Sequence, residues 1–147
     1  MDKIVVKKFD ELSTKELYEI LRVRAKLFVV DQTCVYQDVD GLDYDSIHVI
    51  GCNDKNIMAY LRIFMKDVSK NMVQIGRVLT MERGKGFGEE ILRAGIRVAK
   101  EIMKAEKIYI EAQCYAIGFY EKVGFQVTSD EFLEDGIPHV EMILELS

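Results

Sequence analysis

Six residues, Arg83-Gly84-Lys85-Gly86-Phe87-Gly88, join an apolar run to the most regular amphipathic stretch in the chain. This junction limits the fold more than any other segment. Upstream, Met72 to Thr80 reads as a strand. Downstream, Ile91, Leu92, Gly95, Ile96, Val98, Ala99, Ile102 and Met103 recur at a period near 3.6 residues, which predicts a helix with one apolar face. Such a helix has to bury that face on the sheet it follows. Glycines in the turn accept positive φ and let the backbone approach a ligand, so successive N–H groups can converge in one concavity. With the positive end of the helix behind them, those groups favour a phosphate or pyrophosphate, although a turn without a ligand is equally compatible. Arg83 and Lys85 add two positive charges.

Two other phosphate motifs are excluded by residue identity. A Walker turn needs Ser or Thr after Gly-Lys, and Gly86 stands there. A dinucleotide fingerprint needs a third glycine near Ile91 and a parallel unit with an acidic residue about twenty positions on, and neither requirement is met well.

Around this junction the pattern predicts one domain over 1–147, with no Pro-rich or Gly/Ser-rich linker and no internal repeat. Ile4 to Lys8 reads as a strand. Ser13 and Glu16 form a capping box that opens a helix carrying Leu17, Ile20, Leu21, Ala25 and Phe28. The aspartate-rich span 31–45 reads as a loop. Ile47 to Cys52 and Ile57 to Met65 read as strands joined by a turn at Asn53 to Asn56. After the amphipathic helix, Lys107 to Gln113 returns to a strand. Ala116 to Lys122 fits a short helix ended by Gly124, Phe125 to Thr128 a brief strand, and His139 to Leu146 a last strand that closes the sheet. Antiparallel strands followed by a parallel crossover predict an α/β fold, a mixed and mostly antiparallel twisted sheet with helices on both faces.

A formal charge of −5 gives no broad positive field for a phosphate backbone, so nucleic-acid binding is disfavoured and a cationic or neutral partner is favoured. The first residues are interrupted by charge too soon for a signal core or a membrane span, and the chain reads as cytoplasmic with no membrane partner. Cys34, Cys52 and Cys114 are an odd set without a CxxC pair, which argues against a disulfide framework and a zinc site. A calcium loop starting at Asp38 or Asp40 lacks its sixth-position glycine and twelfth-position glutamate, so no metal is expected.

Arg83, Gly86 and Gly88 satisfy Q/R-x-x-G-x-G/A, and Phe119-Tyr120-Glu121-Lys122-Val123-Gly124-Phe125 satisfies F-Y-x-x-x-G-F. On these residues the chain resembles the GNAT acetyltransferases. The resemblance implies acetyl-CoA as cosubstrate, with Arg83, Gly84, Lys85, Gly86, Phe87 and Gly88 around its pyrophosphate. It puts Val78, Leu79 and Thr80 along the pantetheine arm, and Phe119 and Tyr120 on the cofactor side. Only Met81 and Glu82 separate Thr80 from Arg83, two residues fewer than in many members.

The resemblance gives Tyr120 the role of proton donor to the departing thiolate. A phenol of pKa about 10 can protonate or stabilise a thiolate of pKa about 8.5. An alkylammonium near pKa 10.4 must also lose a proton before it attacks. Candidate bases are Glu111, which as an alternative is an edge carboxylate, and His139 after its Gly-Ile-Pro turn. His48 fits a satisfied strand histidine better.

Arg24-Ala25-Lys26-Leu27-Phe28-Val29-Val30-Asp31-Gln32 with Tyr36, Asp38, Asp40, Gly41 and Asp43, together with Glu134-Asp135-Gly136-Ile137-Pro138-His139 and Met142, resemble the ElaA-like branch of that family. The matches run from Arg24 to Met142. They imply an acceptor side drawn from Arg24, Phe28, Gln32, Tyr36, Asp38, Asp40 and His139. The aspartates at 38, 40, 43 and 45 read either as a negative rim for an ammonium group or as a solvated loop. The implied function is transfer of an acetyl group to an amine of a small molecule or protein, by a monomer or homodimer. The alternative is an acetyl-CoA-binding sensor without turnover.

Overall fold

The computed structural model describes residues 1–54 and 56–147; Lys55, inside the expected turn at Asn53 to Asn56, lies outside the described residues. In chain order the elements are β1 (Lys3–Lys8), α1 (Thr14–Arg24), β2 (Ile47–Asn53), β3 (Asn56–Asp67), β4 (Met72–Thr80), α2 (Phe87–Arg97), β5 (Lys107–Gln113), α3 (Ile117–Glu121), β6 (Gln126–Val127), β7 (Phe132–Glu134) and β8 (Ile137–Glu145). The capping box holds as expected: Ser13 Oγ accepts the Glu16 N–H at 3.0 Å, and the Glu16 carboxylate accepts the Ser13 N–H at 2.8 Å. Both long helices widen at their ends into π-helical turns, Ala25–Asp31 after α1 and Val98–Ile102 after α2.

The strands form one sheet in the order β1-β2-β3-β4-β5-β8-β6, with β7 paired to β8. Among the described residues β4 and β5 make the only parallel pair. The helices cover both faces. On one, α2 buries Ile91, Leu92 and Ala94 against Leu61, Ile63, Val73, Ile75, Ile108 and Ile110. On the other, α1 buries Ile20 and Val23 against Ile50, Tyr60 and Leu79. Each fully buried Ile or Leu contributes about 1.5–3 kcal/mol, so both helices are held by their apolar stripes rather than by propensity.

Two irregularities in β4 create a cleft. Tyr60 pairs with Leu79 and Arg62 with Gly76, so Arg77 and Val78 together oppose Leu61. This is a bulge, and Arg77 sits in it at φ +54°. The extra residue shifts the side-chain alternation: Val73 and Ile75 face α2 before the bulge, and Leu79 faces α1 after it. β4 and β5 pair only over Met72↔Lys107, Val73↔Ile108 and Gln74↔Tyr109. Beyond that point the strands part, and the edge of β4 facing β5 has no strand partner among the described residues for its backbone groups.

The expected strand from His139 does not close the sheet. β8 begins at Ile137 and lies between β5 and β6. The three residues of β7, too short to show an alternation, complete a hairpin with it. Among the described residues no helix is long and apolar enough to cross a membrane.

Candidate active site

The opening between β4 and β5 separates two cavities. The first, on the α2 side, is lined by Thr80, Arg83, Gly84, Gly86, Phe87, Gly88, Glu89, Phe119 and Lys122. Gly84 and Gly86 both take φ +75°, which residues other than glycine reach at a cost of about 1–2 kcal/mol. Gly86 caps α2 without a side-chain partner, and the first helical bond runs from the Glu90 N–H to the Gly86 carbonyl at 3.1 Å. The amides of Phe87, Gly88 and Glu89 therefore stay free at the positive end of the helix. Gly88 is the close-approach position: a Cβ there would stand 3.3 Å from the Phe119 ring and 3.5 Å from Thr80 Cγ2. Lys85 is exposed and does not line this cavity, whereas Lys122, whose ammonium lies 3.9 Å from Glu89, does. Free helix-start amides flanked by Arg83 and Lys122 fit a diphosphate, and the unpaired edge of β4 fits an extended amide-bearing arm.

The second cavity, about 180 Å³, lies on the α1 side. Its floor is the β5–β8 surface, with Glu111, Gln113 and His139. Its roof is the π-helical end of α1 and the loop after it, with Phe28, Gln32, Cys34 and Tyr36. The β7–β8 turn closes one side through Glu134 and Asp135. Two contacts tie the roof down: Gln113 Nε2 on the floor donates to Gln32 Oε1 at 3.4 Å, and the Cys34 thiol donates to the Asp135 carbonyl of the side wall at 3.6 Å.

Tyr120 lines this second cavity, while its neighbours Phe119 and Lys122 line the first. The aromatic packing of Phe119 and Phe125 fixes its ring, with centroids 5.1 Å and 5.8 Å away. Burial pushes its phenol well above the usual tyrosine value, so it is held protonated.

His139 is 7% exposed and stacks on Phe132. Its Nδ1–H donates to the Ile137 carbonyl at 2.7 Å, which leaves the lone pair of the neutral ring on Nε2. Glu134 Oε2 stands 3.5 Å from that nitrogen. Burial first, and then the charge of Glu111, raises the Glu134 carboxyl above its ordinary range. Glu111 accepts the Gln74 amide at 3.4 Å and the Tyr109 phenol at 3.2 Å.

The acceptor-side reading of the acidic segment needs correction. Arg24 does not line either cavity: it is 0% exposed and bound to Asp38 at 3.0 Å and Asp43 at 2.6 Å. Asp40 is taken up by Arg62 at 2.7 Å and by Arg77 at 3.2 Å. Three arginines thus take up Asp38, Asp40 and Asp43 of the four aspartates read as an open rim, Asp45 staying exposed, and neither Asp38 nor Asp40 reaches the cavity. Tyr36 does reach it, its hydroxyl donating to Asp38 at 2.6 Å and its ring lying 5.3 Å from the Arg77 guanidinium. His48 is fully buried, bonded to Tyr60 at 2.6 Å and to the Asp43 carbonyl at 3.1 Å, far from any reacting position. Leu79 packs its side chain under α1, so only its backbone can serve the cofactor side. Glu134, Lys122 and Arg77 are site residues that the pattern did not single out. Glu134 lay in the quoted Glu-Asp-Gly-Ile-Pro-His run and Lys122 at an unspecified position of F-Y-x-x-x-G-F, while Arg77 begins the strand segment that ends at Thr80; none was given a role of its own.

The profile of the acetyltransferase (GNAT) domain matches residues 23–146. A UPF0039 protein of Schizosaccharomyces pombe is 38% identical over 98% of this chain and 97% of its own length. The crystal structure of Escherichia coli ElaA superposes with a TM-score of 0.90 at 33% identity, covering 99% of this chain and 100% of that one. An acyl-CoA N-acyltransferase from Pseudomonas aeruginosa gives a TM-score of 0.89 at 33% identity, over 97% and 99%.

Proposed function

We propose that the chain, which belongs to the GNAT acetyltransferases in their ElaA-like branch, moves the acetyl group of acetyl-CoA onto an amine by direct attack. The family makes it an acyl-CoA-dependent N-acyltransferase; the acetyl donor and the assignment of residues are the proposal. One observation carries it: Tyr120 lines the acceptor cavity from the same short helix whose neighbouring side chains line the cofactor cavity.

The free amides of Phe87, Gly88 and Glu89, with Arg83 and Lys122, hold the diphosphate, and the unpaired edge of β4 holds the pantetheine arm. His139 Nε2 takes a proton from the amine, and Glu134 steadies the imidazolium that results. The amine nitrogen then bonds to the thioester carbonyl carbon and the carbon–sulfur bond breaks. Tyr120 gives its proton to the departing sulfur, and the proton that the attacking nitrogen sheds as it becomes an amide returns to the phenolate or to water. Backbone amides beside the bulge of β4 stabilise the oxygen on which charge develops.

Calorimetry with acetyl-CoA, followed by thiol release in the presence of amines, tests this reading. Binding with amine-dependent release supports it. Folded protein that gives no heat with either CoA or acetyl-CoA overturns it, and binding without turnover of any amine favours the sensor.

A further inference from the structure

The carboxylates in and around the acceptor cavity differ in their partners: Glu134 faces His139, and Asp135 is exposed on the β7–β8 turn. Asp38, Asp40 and Asp43 each contact an arginine. Glu111 does not: its partners among the described residues are the neutral Gln74 amide and the Tyr109 phenol. It also stands directly opposite Glu141 in the β5–β8 register, and like charges placed so are mutually destabilising. The Tyr109 hydroxyl lies between them, 2.6 Å from Glu141 and 3.2 Å from Glu111. It has one proton for two carboxylates. The Lys66 ammonium is spent on the face of the same ring, 4.7 Å from its centroid. Glu111 therefore presents to the cavity a carboxylate that forms no ion pair among the described residues.

A second observation on the same floor gives that charge a ligand. His139, more than nine-tenths buried, lines the same floor with its Nε2 3.5 Å from Glu134 Oε2. The carboxylate beside this nitrogen, Glu134, is the one that steadies the imidazolium, so a permanent second charge on the acceptor needs a different carboxylate. Glu111 is not beside it. His139 pairs with Gln113, two residues along β5 from Glu111 on the same face, a separation of about 7 Å at the rise of a strand. On β4, Gly76 lines the cavity with nothing within 4 Å of where a Cβ would stand, so no side chain rises there.

We infer that the acceptor is a small dibasic amine, its reactive nitrogen at His139 and its second, permanently charged ammonium held by Glu111 on the cavity floor. This rests on the proposed acyl transfer. The volume of about 180 Å³ suits a short unbranched chain, since sites for drug-sized ligands run to about 300–1,000 Å³.

The experiment measures kcat/KM of the full chain with acetyl-CoA for α,ω-diaminoalkanes of three to six carbons, the amino alcohols of equal length, and a lysyl peptide. The best diamine should exceed its amino alcohol about tenfold or more, the value of a charge-assisted contact. Glu111→Gln should bring that ratio to near one without moving the affinity for acetyl-CoA, and Glu111→Asp should restore part of it. Equal rates for diamine and amino alcohol overturn the inference, as does a preference that survives in Glu111→Gln, a lysyl peptide that outperforms every diamine, or no turnover of any amine. If monoamines turn over without a diamine preference, the acyl transfer stands and only the dibasic acceptor falls; if acetyl-CoA does not bind, the transfer itself falls.

Discussion

The guanidinium Nε of Arg77 lies 2.8 Å from a carboxylate oxygen of Asp38, and this contact ties the bulge of β4 to the loop that carries the roof of the acceptor cavity. Arg77 pays for that tie with a left-handed backbone at φ +54°. Asp38 is itself anchored by buried Arg24 of α1, so the position of the bulge is set by the helix that covers this face of the sheet. Arg77→Ala should lower kcat about tenfold or more while the affinity for acetyl-CoA changes little, because the bulge amides lose their register. Arg77→Gly relieves the backbone strain and should be the more stable of the two by about 1 kcal/mol in urea unfolding, yet equally slow. Full turnover in either variant would remove Arg77 from the positioning of the site.

Tyr120→Phe deletes the proton donor and preserves the ring packing with Phe119 and Phe125. Turnover should fall about 10²-fold, with CoA binding by calorimetry unchanged. Because burial raises the phenol's pKa, the wild type should show no loss of rate from tyrosine ionisation up to about pH 10. An alkaline decline that vanishes in Tyr120→Phe would contradict the raised value.

Much of this arrangement was legible before any coordinates. The strand, glycine turn and helix stood out because each obeys a local rule: an apolar run, positive φ at Gly84 and Gly86, and a stripe at helical spacing. Tyr120 stood out through its motif. The fate of the aspartates was not legible, because Arg24, Arg62 and Arg77 reach them from three separate elements and no local pattern announces a pairing across fourteen to thirty-nine residues. Lys122 escaped for the same reason, as a helix-surface lysine becomes a site residue only once α3 is docked beside the turn. Glu134 stood inside a recognised run, but its role depends on the hairpin that β7 forms with β8.

Gly86→Val places a β-branched residue where φ is +75°, in a conformation costing about 1–2 kcal/mol. The turn should relax and scatter the free amides, weakening CoA about tenfold or more in a direct titration. An unchanged Kd would mean that the diphosphate is held elsewhere.

His139→Gln keeps a hydrogen-bonding side chain and removes the base. The wild-type kcat/KM should rise with pH along a limb that this variant lacks. A limb of unaltered shape would return the proton to Glu111 or to water.

Stability should fall on acidification. Burial alone would raise the Asp40 carboxyl, but hydrogen bonds from Arg62 and the Leu42 amide, with the charges of Arg62 and Arg77, outweigh it and bring the value from 3.8 down to about 2. Its contribution is present above about pH 4 and is lost as the pH falls through 2; after solvent screening it is on the order of 1 kcal/mol. Burial likewise lowers the pKa of His48 from 6.5, so below that pH the unfolded chain takes up a proton the folded one refuses. The urea midpoint should be level between pH 7 and 8 and decline from about 6.5 downward. A midpoint that rises toward pH 5 would contradict the neutral, buried His48.

The parting of β4 and β5 makes a window through the sheet rather than a pit in one side of it. On the proposed reading, donor and acceptor come in by separate doors and meet in the frame, so neither blocks the other's exit. Such an enzyme has no need to park the acyl group on itself between visits. Its kinetics should require both reactants aboard together, giving intersecting rather than parallel double-reciprocal lines.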